Sequence, residues 1–510
     1  MSMPGHAPPV PAPPTLLEPD LLAADPAGLA DVGRLVTELT REAASALRRR
    51  SGPLPALTPA ELSRLVDAQL PEGPLPRTGG GRSAILALAR SFAAHTVDLA
   101  DPRAAAHLQP PSLSVAAAAD VLASVFNPSL DTWDSGPYAV EIERRVLRSL
   151  ADLAGYGPEA DGVLTPGGTA SNLQALLIAR DTALGGRADV RGAGLTGLTV
   201  TPVVYCSELA HFSVARACAV LGLGEDAVRT VPADAEHRMI PAELARSLAN
   251  RASGELPIAV VATAGTTDYG SIDPLPEIAA VAARHGVRLH VDAAYGGGAL
   301  FSDRLRPLLE GLDAADSVTI DLHKTAWQPA AASALLVRER RDLVASTGLR
   351  VAYLNPDDDG AEGYDGLLGH SLQTTRRADA FKVAATFLAL GREGIGAMLD
   401  ACHDLARHAA RTVEAHPRLE LAAEPVLTTV VFRYLPHRAA DAAADPAGID
   451  AVNGALRRRL LREGAALIGR TDVAGSVRLK LTLLNPQATT TDIDELLTAV
   501  ARAGMSEETS

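Results

Sequence analysis

The stretch PIAVVATAGTTDYGSIDPLPEIAAVAARHGVRLHVDAAY, residues 257–295, limits the fold more than any other part of the chain. A β-rich apolar run ends at Gly265 and a polar loop follows. LPEIAAVAARH (275–285) then has helical spacing, stops at Gly286, and gives way to a second apolar run that reaches Asp292. Two strands joined through a helix are expected to lie parallel, so both finish on one edge of a sheet. That edge, beside the GTT and DAAY segments, is where open α/β sheets bind ligands.

The same alternation extends from about 160 to 340 through GVLTP, TPVVYCS and DSVTIDL, which predicts an α/β fold with a mainly parallel, buried central sheet. Ahead of it, residues 22–50 and 58–71 place apolar side chains at helical spacing around the breaker SGPLP, and the RRR at 48–50 reads as a solvated helix end. Beyond 383 a long helix or helix pair precedes two strands, 426–436 and 476–486, and a helix capped by Thr491 with Asp494 three residues on. The expected division is a disordered Pro/Ala-rich leader (1–21), a helical N-terminal arm (22–112), a large α/β domain (113–382) and a small α+β domain (383–510).

With 510 residues the chain exceeds the ~250–300 at which single cores stop growing. A net charge of −14, with no window rich enough in lysine and arginine for a nucleic-acid footprint, argues against a nucleic-acid partner. Cys206, Cys218 and Cys402 are too few and scattered for a disulfide framework or a zinc site, and no metal is expected. No run reaches 18 apolar residues and the leader lacks an apolar signal core, so a cytoplasmic protein without a membrane partner is expected.

Four features carry chemistry. TPGGTASNLQALLIARD (165–181) joins a strand to a helix through Gly167 and Gly168, a turn whose unpaired N–H groups suit a phosphate, with Thr169 and Ser171 as further donors. Taken alone, that stretch is better explained as a plain β–α turn. His211 opens an apolar helical stretch, where it is either a ring platform or a satisfied helix-terminus residue. Asp292 ends an apolar strand, where a carboxylate needs a cation or a donor unless it caps a helix. Lys324, in DLHKTAWQP (321–329), either pairs with an acid or becomes a neutral amine able to form a Schiff base with an aldehyde. Together they supply what pyridoxal 5′-phosphate needs: a phosphate cradle, a flat ring, an acid for a ring nitrogen and an amine for the aldehyde.

GGTASN, AHFSVARA, ATAGTTDYGSIDPL, HVDAAYGG and HK stand in an order that resembles the pyridoxal-phosphate-dependent group II amino acid decarboxylases, from about residue 100 to 390 and more loosely to LLNP near the end. HLQPPSLSVAAAADVL (107–122), NPSLDTWD (127–134), HKTAWQP and SLQTTRRADAFK (371–382) resemble the bacterial diaminobutyrate and siderophore-type diamine branch. The resemblance implies a fold type I enzyme acting as a homodimer, in which each site is completed by the neighbouring subunit.

It implies that Lys324 binds the cofactor covalently, Asp292 meets the pyridine nitrogen and His211 stacks on the ring. Thr169, Ala170 and Ser171 would form the cradle, Thr267 would lie near the cofactor, Ala294 on the ring's other face and His323 beside the phosphate. Tyr353 would be the proton donor on a mobile loop, and His107, Leu108, Gln109 and Trp327 would border the substrate. The implied reaction releases CO2 and a primary amine from a diamino acid such as 2,4-diaminobutyrate, lysine or ornithine. An aromatic or aliphatic substrate, or oxidative deamination, is the alternative. Two departures bear on this choice: Asp321 and Leu322 stand where the aromatic and glutamate branches have asparagine and proline, and Ala326 and Trp327 replace a usual pair of phenylalanines.

Overall fold

Strands mostly buried on both faces build the larger sheet of the computed structural model, which describes residues 22–70, 79–348, 351, 354–437, 446–473 and 475–508. The strands are β1 (Asp161–Thr165), β2 (Thr201–Ser207), β3 (Val228–Val231), β4 (Glu255–Thr263), β5 (Arg288–Asp292), β6 (Ser317–Asp321) and β7 (Ser333–Val337). Their spatial order is β1-β7-β6-β5-β4-β2-β3. All neighbours run parallel except those of β7, which is antiparallel to both β1 and β6. The mainly parallel α/β sheet is therefore as expected, with one reversed strand inserted near its edge.

Strand β2 explains why these runs read as continuously apolar. Val203 and Tyr205 pack with Leu244, Leu248 and Ile278, whereas Val204 and Cys206 point the other way onto Leu176, Leu177 and Val214. Alternate side chains thus enter two different cores, and neither face meets water. The second core is supplied by α6 (Gly168–Leu184) and α7 (Ser213–Val220), the first partly by α8 (Leu275–His285), with α4 (Ser114–Phe126) and α5 (Pro137–Leu153) preceding them in the chain. Gly286 ends α8 at φ +64°, the left-handed conformation that glycine adopts without steric cost.

The chain divides into two compact units. One comprises the described residues of 22–51 and 57–97. Its helices α1 (Pro26–Leu47) and α3 (Gly81–His95) are joined by Arg82 to Glu38 and Arg90 to Glu42, and α2 (Pro59–Gln69) begins with a capping box between Thr58 and Glu61. The basic run at 48–50 is not wholly solvated: Arg50 donates to the carbonyls of Ala93 and Thr96, which end α3. The leader lies outside the described residues.

The other unit holds the large sheet and a second, five-stranded sheet made by β8 (Leu419–Leu421), β9 (Thr429–Tyr434), β10 (Leu467–Val473), β11 (Ser476–Thr482) and the two-residue strand Ala104–Ala105. Helices α10 (Ala380–Ala415), α11 (Pro446–Arg462) and α12 (Thr490–Glu507) enclose its core around Phe432, Leu479 and Leu481. The cap of α12 is Thr489 with Asp492, two residues earlier than the Thr491–Asp494 pair expected. Asp494 instead accepts hydrogen bonds from His408 and Thr412 of α10. A run of three threonines offers three cap registers, and the packing of α12 on α10 selects among them.

Candidate active site

Five chain segments leave the C-terminal edge of the large sheet and enclose one cavity of about 300 Å³. The β1–α6 turn contributes Gly167, Gly168 and Thr169, the β2–α7 loop His211, β4 and its loop Thr263 and Thr267, the end of β5 Asp292 and Ala294, and the β6–α9 corner Asp321, His323 and Lys324. Here α9 is the single helical turn Leu322–Thr325, so Lys324 stands three residues beyond the strand end. Leu108 closes one side.

Lys324 Nζ lies 2.8 Å from Asp321 Oδ2. The carboxylate is 2% exposed and its Oδ1 is buried without a hydrogen-bond partner. His323 turns Nδ1 to the Ala332 carbonyl at 2.8 Å, leaving Nε2 3.6 Å from the same Asp321 oxygen. At Gly168 a Cβ atom would stand 3.1 Å from the Ala294 Cβ and from Asp321 Oδ2, so glycine keeps the cradle open.

Asp292 is held from two sides. Its Oδ1 accepts from the Ala294 amide at 3.1 Å and its Oδ2 from Asn172 Nδ2 at 2.7 Å. Asn172, buried in α6, is the centre of the polar network: its Oδ1 accepts from Thr319 Oγ1 at 2.9 Å and from His290 Nε2 at 3.0 Å. Burial pushes His290 down to about 4, which keeps it neutral with the proton on Nε2.

The second amide hydrogen of Asn172 goes to Ser213 Oγ at 2.9 Å. The Ser213 hydroxyl is then free to donate to His211 Nδ1, 2.8 Å away, and the Ser213 amide approaches the same nitrogen at 3.3 Å. With Nδ1 accepting, the neutral His211 ring carries its proton on Nε2. Burial lowers the His211 pKa, against the opposing pull of Asp292, and so favours that neutral form.

Of the residues expected at the site, Thr169, His211, Thr267, Asp292, Ala294, His323, Lys324 and Leu108 share this cavity. Ala170 and Ser171 do not line it. Ser171 is fully buried, and its hydroxyl bonds Thr165 at 2.7 Å and Ser333 at 3.1 Å. His107 and Gln109 are exposed and outside the lining. Trp327 is a core residue: it is 1% exposed, packs with Ala326 in the main core and donates Nε1–H to the Leu484 carbonyl at 2.8 Å. Its one donor is satisfied in the interior, and the ring is not part of the cavity lining. Tyr353 lies outside the described residues.

Sequence reasoning passed over Asn172, Ser213 and His290. Asn172 stands one helical turn before Leu176 on the buried face of α6, and a polar residue at a buried helical position is the signal that could have found it.

Such an arrangement defines a fold type I pyridoxal-phosphate enzyme: a lysine after a strand, a carboxylate at the end of the neighbouring strand, and a glycine turn opening a helix. The chain belongs to the pyridoxal-dependent decarboxylase family, whose conserved-domain model matches residues 59–435. It is 43% identical over 438 residues to the L-2,4-diaminobutyrate decarboxylase of Rhizobium meliloti (strain 1021), covering 86% of this chain and 85% of the relative.

Among solved structures, the glutamate decarboxylase domain of diaminobutyrate-pyruvate transaminase and L-2,4-diaminobutyrate decarboxylase from Vibrio parahaemolyticus matches with a TM-score of 0.84 and 31% identity, over 95% of this chain and 97% of that one. Mouse CSAD matches with a TM-score of 0.86 and 30% identity, over 94% and 99%. The protein is a pyridoxal-phosphate-dependent amino acid decarboxylase.

Proposed function

We propose that the substrate is a diamino acid, with L-2,4-diaminobutyrate foremost, and that the products are CO2 and propane-1,3-diamine. The observation that carries this reading is the 43% identity, over most of both chains, to a relative that bears that activity in its name. A second observation agrees with it. An adjoining cavity of about 300 Å³ shares His211, Phe212 and Thr267 with the first and adds Glu208, one of whose oxygens accepts from the Ala233 amide while the other could meet a second ammonium; its Asp268 is already paired with Lys480.

In this reading the residues divide the work as follows. Pyridoxal phosphate, when bound, supplies the electron sink for the bond pair released with CO2. Lys324 would hold it covalently. The turn at Gly167–Thr169 and the N-terminus of α6 receive the phosphate, with His323 beside it. Asp292, fixed by Asn172 and the Ala294 amide, keeps a proton on the ring nitrogen. His211 would face the bound cofactor and offer its Nε2–H to the substrate carboxylate. Tyr353 donates the proton that replaces CO2. We assign the working form to a cytoplasmic homodimer in which the neighbour's loop completes the site.

Incubating the purified protein with L-2,4-diaminobutyrate, lysine, ornithine, phenylalanine and valine, and following CO2 and amine by mass, tests the substrate. Propane-1,3-diamine should accumulate fastest. Release from phenylalanine or valine without release from diaminobutyrate would overturn the proposal. Tyr353→Phe should keep the bound cofactor's visible band while losing clean amine production.

A further inference from the structure

We propose that Asp321 is a positioning residue whose charge holds the Lys324 nitrogen in place and keeps it protonated when it is joined to the cofactor. The inference rests on the reading of Lys324 as the residue that holds pyridoxal phosphate.

Asp321 is the last residue of β6, paired in register with Ser333, and it is among the most deeply buried carboxylates of the site. A buried carboxylate is costly unless a cation or donors meet it. Here one oxygen meets Lys324 at 2.8 Å, while the other has no hydrogen-bond partner. The carboxylate also lies against the glycine turn, because a Cβ at Gly168 would come within 3.1 and 3.2 Å of its two oxygens. It thereby lies between the turn and the lysine.

The charged and titratable groups that face it are few. From its own corner come Lys324 and His323, from the end of β5 comes Asp292, and from the β2–α7 loop comes His211, which feels the Asp321 charge. The β1–α6 turn brings Gly167, Gly168 and Thr169, none of them charged, and would bring the cofactor's phosphate, an anion that bears on the wild type and the variants alike. Asp292 is committed to Asn172 and the Ala294 amide. Asp321 is therefore the carboxylate that acts on the Lys324 nitrogen, and a fixed negative charge 2.8 Å away favours the protonated form of that nitrogen.

The experiment is a pH titration, between 6 and 10, of the bound cofactor's visible absorbance in the holoenzyme, with Asp321→Asn and Asp321→Ser beside the wild type. Circular dichroism confirms that each variant is folded. Both neutral variants should lower the titration midpoint by at least one pH unit, and Asp321→Glu, which restores the charge, should recover part of that shift. An unchanged midpoint in the neutral variants overturns the proposal, because a merely space-filling residue would leave it unmoved. Borohydride reduction with peptide mapping separates this result from the underlying reading. A label on a residue other than Lys324 overturns the assignment of the lysine. A label on Lys324 with an unmoved midpoint overturns only the role of Asp321.

Discussion

Replacing Asn172 by leucine removes two donors and one acceptor from the middle of a buried network and puts a bulkier side chain of the same branching in their place. Asp292 loses the donor at 2.7 Å, and Thr319 and His290 lose their shared acceptor. Leaving a buried polar group without a partner costs about 1–3 kcal/mol, so Asn172→Leu should lose roughly 3–5 kcal/mol of unfolding free energy in urea denaturation. Cofactor retention, followed by absorbance during dialysis, should fall as well, since Asp292 is no longer oriented. Ser213→Ala should behave differently: stability falls by about 1 kcal/mol, but His211 loses the donor that fixes its tautomer, and amine production falls by roughly tenfold. That His211, Asp292 and Lys324 meet in one cavity could be read from the sequence because each ends or follows an element with a clear period. The partners of Asn172 and Ser213, and the side of the chain on which Trp327 lies, could not, since periodicity assigns a face but not the partner across it.

Among the elements, α10 joins the two cores, and it was legible only as a long helix or a helix pair. The structure has both descriptions in one element: 36 residues interrupted at Gly391, which sits at φ +62° and ψ −178°. No atom stands within 4 Å of a Cβ placed there, so an alanine would meet only the conformational penalty of the left-handed half of the map. Gly391→Ala should therefore destabilise by about 1–2 kcal/mol without touching the site, leaving decarboxylation per folded molecule unchanged.

A tighter clamp acts on α5, where Glu143 and Arg376 form a buried pair that also bonds the backbone of Leu164 in β1. Arg376→Leu alone should cost about 3–5 kcal/mol by stranding the carboxylate, and adding Glu143→Leu should recover much of it in a double-mutant cycle. The reversed strand β7 was missed for a related reason. SALLV reads as a buried apolar run, and direction in a sheet is set by which neighbours it bonds, which no period encodes.

At the scale of the whole molecule, two buried groups oppose each other in the pH dependence of stability. Asp273 accepts from the amides of Met239 and Thr263, both at 2.7 Å, yet burial pushes it up from 3.8 to about 6. Between those values the folded chain keeps a proton that the unfolded chain has released, so this group lowers stability as pH rises, by about 1.4 kcal/mol per unit at most. His290 runs the other way. Burial lowers it from 6.5 to about 4, its contribution is complete above 6.5, and it is lost as pH falls toward 4.

The two windows overlap almost entirely, so their slopes nearly cancel in the wild type. Asp273→Asn removes one of them. Its absolute stability should fall, because an amide offers a single oxygen to two backbone donors. Its unfolding free energy, measured by urea denaturation between pH 4.5 and 6, should nevertheless rise with pH more steeply than the wild type's, by about 1 kcal/mol per unit. Equal slopes in the two proteins would mean that Asp273 is ionised in the fold throughout this range, and that its two backbone donors outweigh its burial.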